Sequence, residues 1–153
     1  MKNDGKALEN AVREALKAHQ ETNQSFFYRF YDTTSARGNF LPESPGDFMW
    51  LLPEGAVLVE CKSTEKGADI LTMIKGSKTS KAQIPRHRIW HRTGHPSIYI
   101  WADLVTREVA IYDGVSVVQA HLNKDKELLH CHFRGPLPTV GKMLGKLADN
   151  MRV

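Results

Sequence analysis

The stretch SPGDFMWLLPEGAVLVECKST, Ser44 to Thr64, holds two apolar runs around a short turn and ends on a charged triplet. DFMWLL and AVLVECK are short and rich in aromatic and β-branched residues, which suits strands. Pro53-Glu54-Gly55 supplies the turn between them, so the pair reads as a β-hairpin. A strand of Ala-Val-Leu-Val has no reason to end on charges, because a buried charge is costly without a partner. This one runs on into Glu60-Cys61-Lys62. Side chains alternate along a strand, so Glu60 and Lys62 share one face and Cys61 takes the other.

Asp47 begins the first strand of the hairpin, thirteen residues before Glu60. A tight hairpin brings these two carboxylates side by side, where they repel and call for a cation between them. Hard oxygen ligands select Mg²⁺ or Mn²⁺ over zinc. The backbone carbonyl of Cys61 offers a third oxygen. Lys62 beside such an ion would orient a water or offset charge on a phosphate in the transition state. The competing reading of Glu60 and Lys62 is a surface salt bridge, which is the ordinary fate of a Glu-x-Lys triplet. The apolar strand that carries them and the acidic residue after Pro45-Gly46 weigh against it.

Upstream, Leu8, Ala11, Val12, Ala15 and Leu16 recur at helical spacing, with Asp4 as a capping residue. Glu9 shares that stripe with Val12 and Leu16, so a core-facing glutamate needs a partner. Metal coordination is one answer; a cap or a salt bridge is the other. QSFFYRFY, Gln24 to Tyr31, reads as an aromatic strand, and Asp32 to Gly46 as a loop. Downstream, Ser63 to Ile84 is polar and mixed. PRHRIWHRTG reads as a helix with Pro85 in its first turn and Gly94 past its end. PSIYIWADL reads as a strand buried on both faces. EVAIYDGVSVVQA reads as a hairpin around Asp113-Gly114, and Leu137 to Met151 as an amphipathic helix. The order α, β, β-hairpin, α, β, β-hairpin, α predicts a single α/β domain spanning residues 1–153, with a central mixed sheet flanked by helices.

Composition agrees with that class. The chain has 153 residues, 41% of them hydrophobic, enough for one core. Two cysteines do not make a disulfide framework. With no apolar leader and no long apolar run, the expectation is an intracellular, cytoplasmic protein that does not enter the membrane. A net charge of +4 leans toward a polyanionic partner. That charge is concentrated: Lys75, Lys78, Lys81, Arg86, Arg88 and Arg92 make six cations between 75 and 92, with no Asp or Glu among them. Such a run is suited to DNA phosphates, which give affinity without reading sequence. His87 and His91, four apart on the expected helix, could hold zinc, but no third ligand matches their spacing. His130 and His132 around Cys131 would share a face of a strand, and a structural role is the simpler reading.

Taken in order, GKALE at the start of the first helix, PGDF, VECKST and SKTSKAQI resemble the PD-(D/E)xK nuclease superfamily, and most closely its RecU-type Holliday-junction resolvases. The resemblance covers residues 5 to 112. It implies a restriction-endonuclease-like core and a divalent-metal-dependent DNA endonuclease, with Glu9, Asp47 and Glu60 as metal ligands and Lys62 as catalytic lysine. It also implies a glutamine from the following helix. Gln83 is the candidate for that catalytic role, with His87 the other residue nearby. The family's stalk insertion would be reduced here to Thr33–Pro45. A four-way junction is cut symmetrically on two strands, so the implied assembly is a two-fold homodimer, joined through the aromatic strand or the first helix. Two other readings stay open: a nicking, repair or phage DNA-processing nuclease on the same core, acting on flaps, duplex or single strands, and a DNA-binding module without activity.

Overall fold

The computed structural model describes residues 5–22, 24–30 and 44–151. Asp4, Tyr31 and most of the Thr33–Pro45 loop lie outside them.

The elements in chain order are α1 (Gly5–Glu21), β1 (Phe26–Arg29), β2 (Phe48–Leu52), β3 (Gly55–Thr64), α2 (Ile70–Lys75), α3 (Lys78–Arg92), β4 (Ser97–Asp103), β5 (Glu108–Asp113), α4 (Gly114–Asn123), β6 (Cys131–Pro136) and α5 (Val140–Asn150). The strands form one six-stranded sheet in sequence order. β3 and β4 are parallel, joined by the α2–α3 crossover, and every other neighbouring pair is antiparallel. The protein is therefore α/β with a mixed sheet. Among the described residues no helix is long and apolar enough to cross a membrane.

The alternation of each strand feeds two cores. On one face Leu8, Val12 and Leu16 of α1 and Val140, Leu144 and Leu147 of α5 pack on Phe48, Trp50, Val59, Ile100 and Ile111. On the other, Ile70, Ile74, Ile84, Val117 and Val118 from α2, α3 and α4 pack on Tyr99, Trp101 and Tyr112. All of β4 is buried, as its unbroken apolar run requires of a strand covered on both sides.

Three expectations need correction. The mixed stretch after the hairpin is ordered into α2 and the first half of α3. Asp69 caps α2 by accepting from the Thr72 amide, and Ser77 caps α3 by accepting from the Ser80 amide. Two ordinary caps were hidden among many polar residues. Pro85 is consequently interior to α3 rather than in its first turn. It forfeits the bond its missing N–H would have made to the Lys81 carbonyl, and its ring crowds that carbonyl, while standing exposed on the outer side. Third, Asp113-Gly114 starts a helix instead of closing a hairpin. Asp113 accepts from the Ser116 amide at 3.0 Å as the cap of α4. The partner of β5 is β6, with Ile111 opposite Phe133.

Gly114 is required by packing: a Cβ there would lie 1.8 Å from Ser97 Oγ and 2.8 Å from the Ser97 carbonyl carbon. Gly114→Ala should therefore destabilise the protein by about 2 kcal/mol through overpacking, measured by urea unfolding. Helix propensity alone predicts the opposite sign, a gain of up to about 1 kcal/mol.

Candidate active site

The site forms where the sheet divides. β2 pairs with β3 only from Gly55 to Val59, while β3 continues to Thr64 against β4 alone. Asp47 stands at the parting. Its amide donates to the Val59 carbonyl and its carbonyl accepts from the Phe30 amide, both at 2.9 Å. The next rung of the ladder is made by its side chain: Cys61 N–H donates to Asp47 Oδ2 at 2.7 Å. Strand geometry aims the Cys61 carbonyl to the same side as its amide, into the opening that β2 leaves. Gly46 permits this approach, since a Cβ there would lie 3.0 Å from both the Val59 carbonyl oxygen and Leu58 Cδ1.

Glu60 and Lys62 share the face covered by α2 and α3, and Cys61 is built into the opposite core, as alternation predicts. Lys62 Nζ is 3.1 Å from Glu60 Oε1, and their side chains are only 15% and 3% exposed. This is a buried ion pair, not the exposed one common to such triplets. Lys62 Nζ also donates to Gln83 Oε1 at 3.3 Å. Gln83 reaches the site because α3 begins before Pro85, which puts Ser80, Gln83, Ile84 and His87 on one buried stripe.

The carboxyls are held against their ordinary chemistry. Burial, followed by the neighbouring Glu60 charge, pushes Asp47 up to about 8, against the pull of the Cys61 amide and of Lys62. Burial also raises Glu60, although Lys62 opposes it. Glu9 is raised by burial and by Asp47, with Arg29 acting the other way. Arg29 sits 3.1 Å from Glu9 Oε2, so the partner Glu9 needs is a cation from β1. Asp47 acts electrostatically on Glu9, and Glu60 acts on Asp47.

These residues fit a divalent cation. Glu60 Oε2 is buried with no hydrogen-bond partner, a costly condition that a bound cation relieves. Asp47, Glu60 and the Cys61 carbonyl are hard oxygen donors of the kind Mg²⁺ or Mn²⁺ takes. Among the described residues no three His, Cys, Asp or Glu side chains are already gathered around one point. Glu9, tied to Arg29, adjoins the pair through Asp47.

Tyr99, which the sequence does not single out, and His87, the alternative to Gln83, lie beside it. Tyr99 pairs with Glu60 across β3 and β4, and the buried His87 ring packs on it with centroids 4.7 Å apart. Burial and then the Lys62 charge lower His87 to about 4, so it is neutral at physiological pH. The buried stripe of α3 holds Gln83 and His87 together, so both candidates lie at the site.

The cations from 75 to 92 divide. At 100° per residue, Lys78, Lys81, Arg88 and Arg92 fall on one side of α3, opposite Gln83 and His87, and all four are exposed. Lys75 is exposed at the end of α2, and Arg86 lies on the flank of α3. His91 is exposed and His87 buried, and no third zinc ligand joins them among the described residues.

No protein-family model matches the chain, and no curated protein matches it.

Proposed function

We propose that the protein is a divalent-metal-dependent DNA endonuclease with a restriction-endonuclease-like core, acting on branched DNA as a Holliday-junction resolvase in the cytoplasm. The observation that carries this reading is the buried Asp47–Glu60 carboxyl pair, with Lys62 and Gln83 converging beside it at the open edge of β3. A binding protein has no use for carboxylates gathered where a phosphate must approach. An enzyme that holds a cation there does.

Asp47, Glu60 and the Cys61 carbonyl would hold Mg²⁺ or Mn²⁺, with Glu9 supporting Asp47. The ion supplies Lewis acidity toward the scissile phosphate and an acidified water. Lys62, fixed from two sides by Glu60 and Gln83, positions the attacking water or offsets charge developing on the phosphate. Gln83 acts by holding the Lys62 ammonium in place. The exposed cations of α3, with Lys75 and Arg86, bind the DNA backbone. A homodimer with two such sites would use β1, the edge strand of the sheet, where Phe26 and Tyr28 are 56% and 52% exposed.

The test compares labelled four-way junction, duplex, flap and single-stranded DNA with Mg²⁺ or Mn²⁺. Paired symmetric cuts confined to the junction are expected. Cutting of another substrate instead would keep the active site and replace the resolvase role with a repair or DNA-processing one. Binding without any cutting would leave a DNA-binding module.

A further inference from the structure

A groove of about 220 Å³ runs between α3 and α4. Its wall on α4 is mostly apolar, made by Val115, Val118 and Leu122 with Gln119 among them. Its rim on α3 carries Arg88 and Arg92, and His87 lies at its base. His87 is 1% exposed, and neither of its ring nitrogens has a hydrogen-bond partner of good geometry. The Pro45 carbonyl faces the ring and favours its protonated form, without outweighing burial.

Each part of this groove suits a different part of a nucleotide. Two exposed guanidiniums take a phosphate in bidentate fashion. The apolar wall takes a base face. With the Pro45 carbonyl against one ring nitrogen, the neutral imidazole keeps one acceptor, which a donor on the edge of a base can satisfy and a phosphate cannot. At about 30 Å³ per water, the groove has the volume of roughly seven waters, room for one base and not for a base pair. Its position is also informative: His87 follows Gln83 by one helical turn, about 6 Å. Gln83 touches Lys62, so the groove lies one or two nucleotides from the proposed chemistry, given a spacing of about 3.4 Å per stacked nucleotide.

We propose that this groove is a subsite for one unstacked nucleotide of the bound DNA, its base between α3 and α4 and its phosphate on Arg88 and Arg92. The proposal rests on the nuclease reading and adds to it a reason for branched substrates. Bases beside a branch point are poorly stacked, so extracting one costs less than from a duplex.

The experiment places 2-aminopurine at successive positions around the branch point of a four-way junction, bound in EDTA to prevent cutting. Fluorescence should rise several-fold at one position on binding. Leu122→Trp, at a site 51% exposed, should fill the groove and abolish the rise, while fluorescence anisotropy shows DNA binding reduced by less than tenfold. Absence of brightening at every position with DNA bound overturns the proposal, as does brightening that survives Leu122→Trp. Failure of the wild type to bind any DNA overturns the nuclease reading instead. In that case dAMP is titrated while His87 is followed by NMR. Shifts at His87 would identify a free-nucleotide site and overturn the DNA subsite; no shifts would overturn it as well.

Discussion

Lys62→Met is expected to destabilise the metal-free protein by about 3 kcal/mol at neutral pH, the magnitude for removing one partner of a buried ion pair, and to reduce cleavage by at least about a hundredfold. The ammonium is the one cation against Glu60 Oε1, at 3.1 Å among the described residues, and Glu60 Oε2 already lacks a partner. Without Lys62 the Glu60 carboxylate loses the main influence that offsets burial, so Glu60 is driven further up. A carboxyl raised in the folded state contributes stability at low pH and loses it as pH rises through the folded value. The variant should therefore approach wild type near pH 4 and differ most at pH 8. Glu60→Gln combined with Lys62→Met should recover most of the stability and none of the cleavage. Urea unfolding at both pH values and a single-turnover cleavage assay check the two halves. Equal destabilisation at both pH values would contradict the electrostatic account of the pair.

The second large effect follows from Asp47. Its folded value of about 8 lies above the ordinary 3.8. Its contribution is present in full below the unfolded value and is lost as pH rises through about 8, so metal-free protein should lose stability across that window. Asp47→Asn removes the titrating group. It should flatten this part of the profile and raise the melting temperature at pH 8.5 relative to wild type. A divalent cation competes with the proton that Asp47 holds at pH 7. Binding should release about one proton per cation, and apparent affinity should rise up to about tenfold per pH unit below 8. Calorimetry in two buffers of different ionisation enthalpy reads that proton directly. Cation binding with no proton release would show that Asp47 is not displaced by the metal.

The chain discloses its sheet more readily than its helices. β2, β3 and β4 are legible because their apolar runs are short, bounded by turn residues and, for β4, uninterrupted. α3 reads short because Pro85 is a strong local signal, while the cap at Ser77 is one polar residue among many. The tertiary stripe of Ser80, Gln83, Ile84 and His87 overrides the proline. α4 is hard to read for a related reason: Asp-Gly serves a hairpin and a helix cap equally well, and the burial of Val117 and Val118 against the sheet is tertiary. At the site, strand alternation was enough to place Glu60, Lys62 and Asp47 together. It could not show that Asp47 completes the ladder with its side chain, or that Arg29 from an edge strand takes Glu9. Those facts depend on where β2 begins, which pairing sets and local sequence does not.

The most direct test of the central claim is cleavage of an end-labelled four-way junction by the wild type and by Asp47→Asn, each in Mn²⁺ and in EDTA. The account predicts cutting by the wild type in Mn²⁺ alone, with the other three reactions blank. Cutting that persists in EDTA, or that survives the loss of the Asp47 carboxylate, would contradict it.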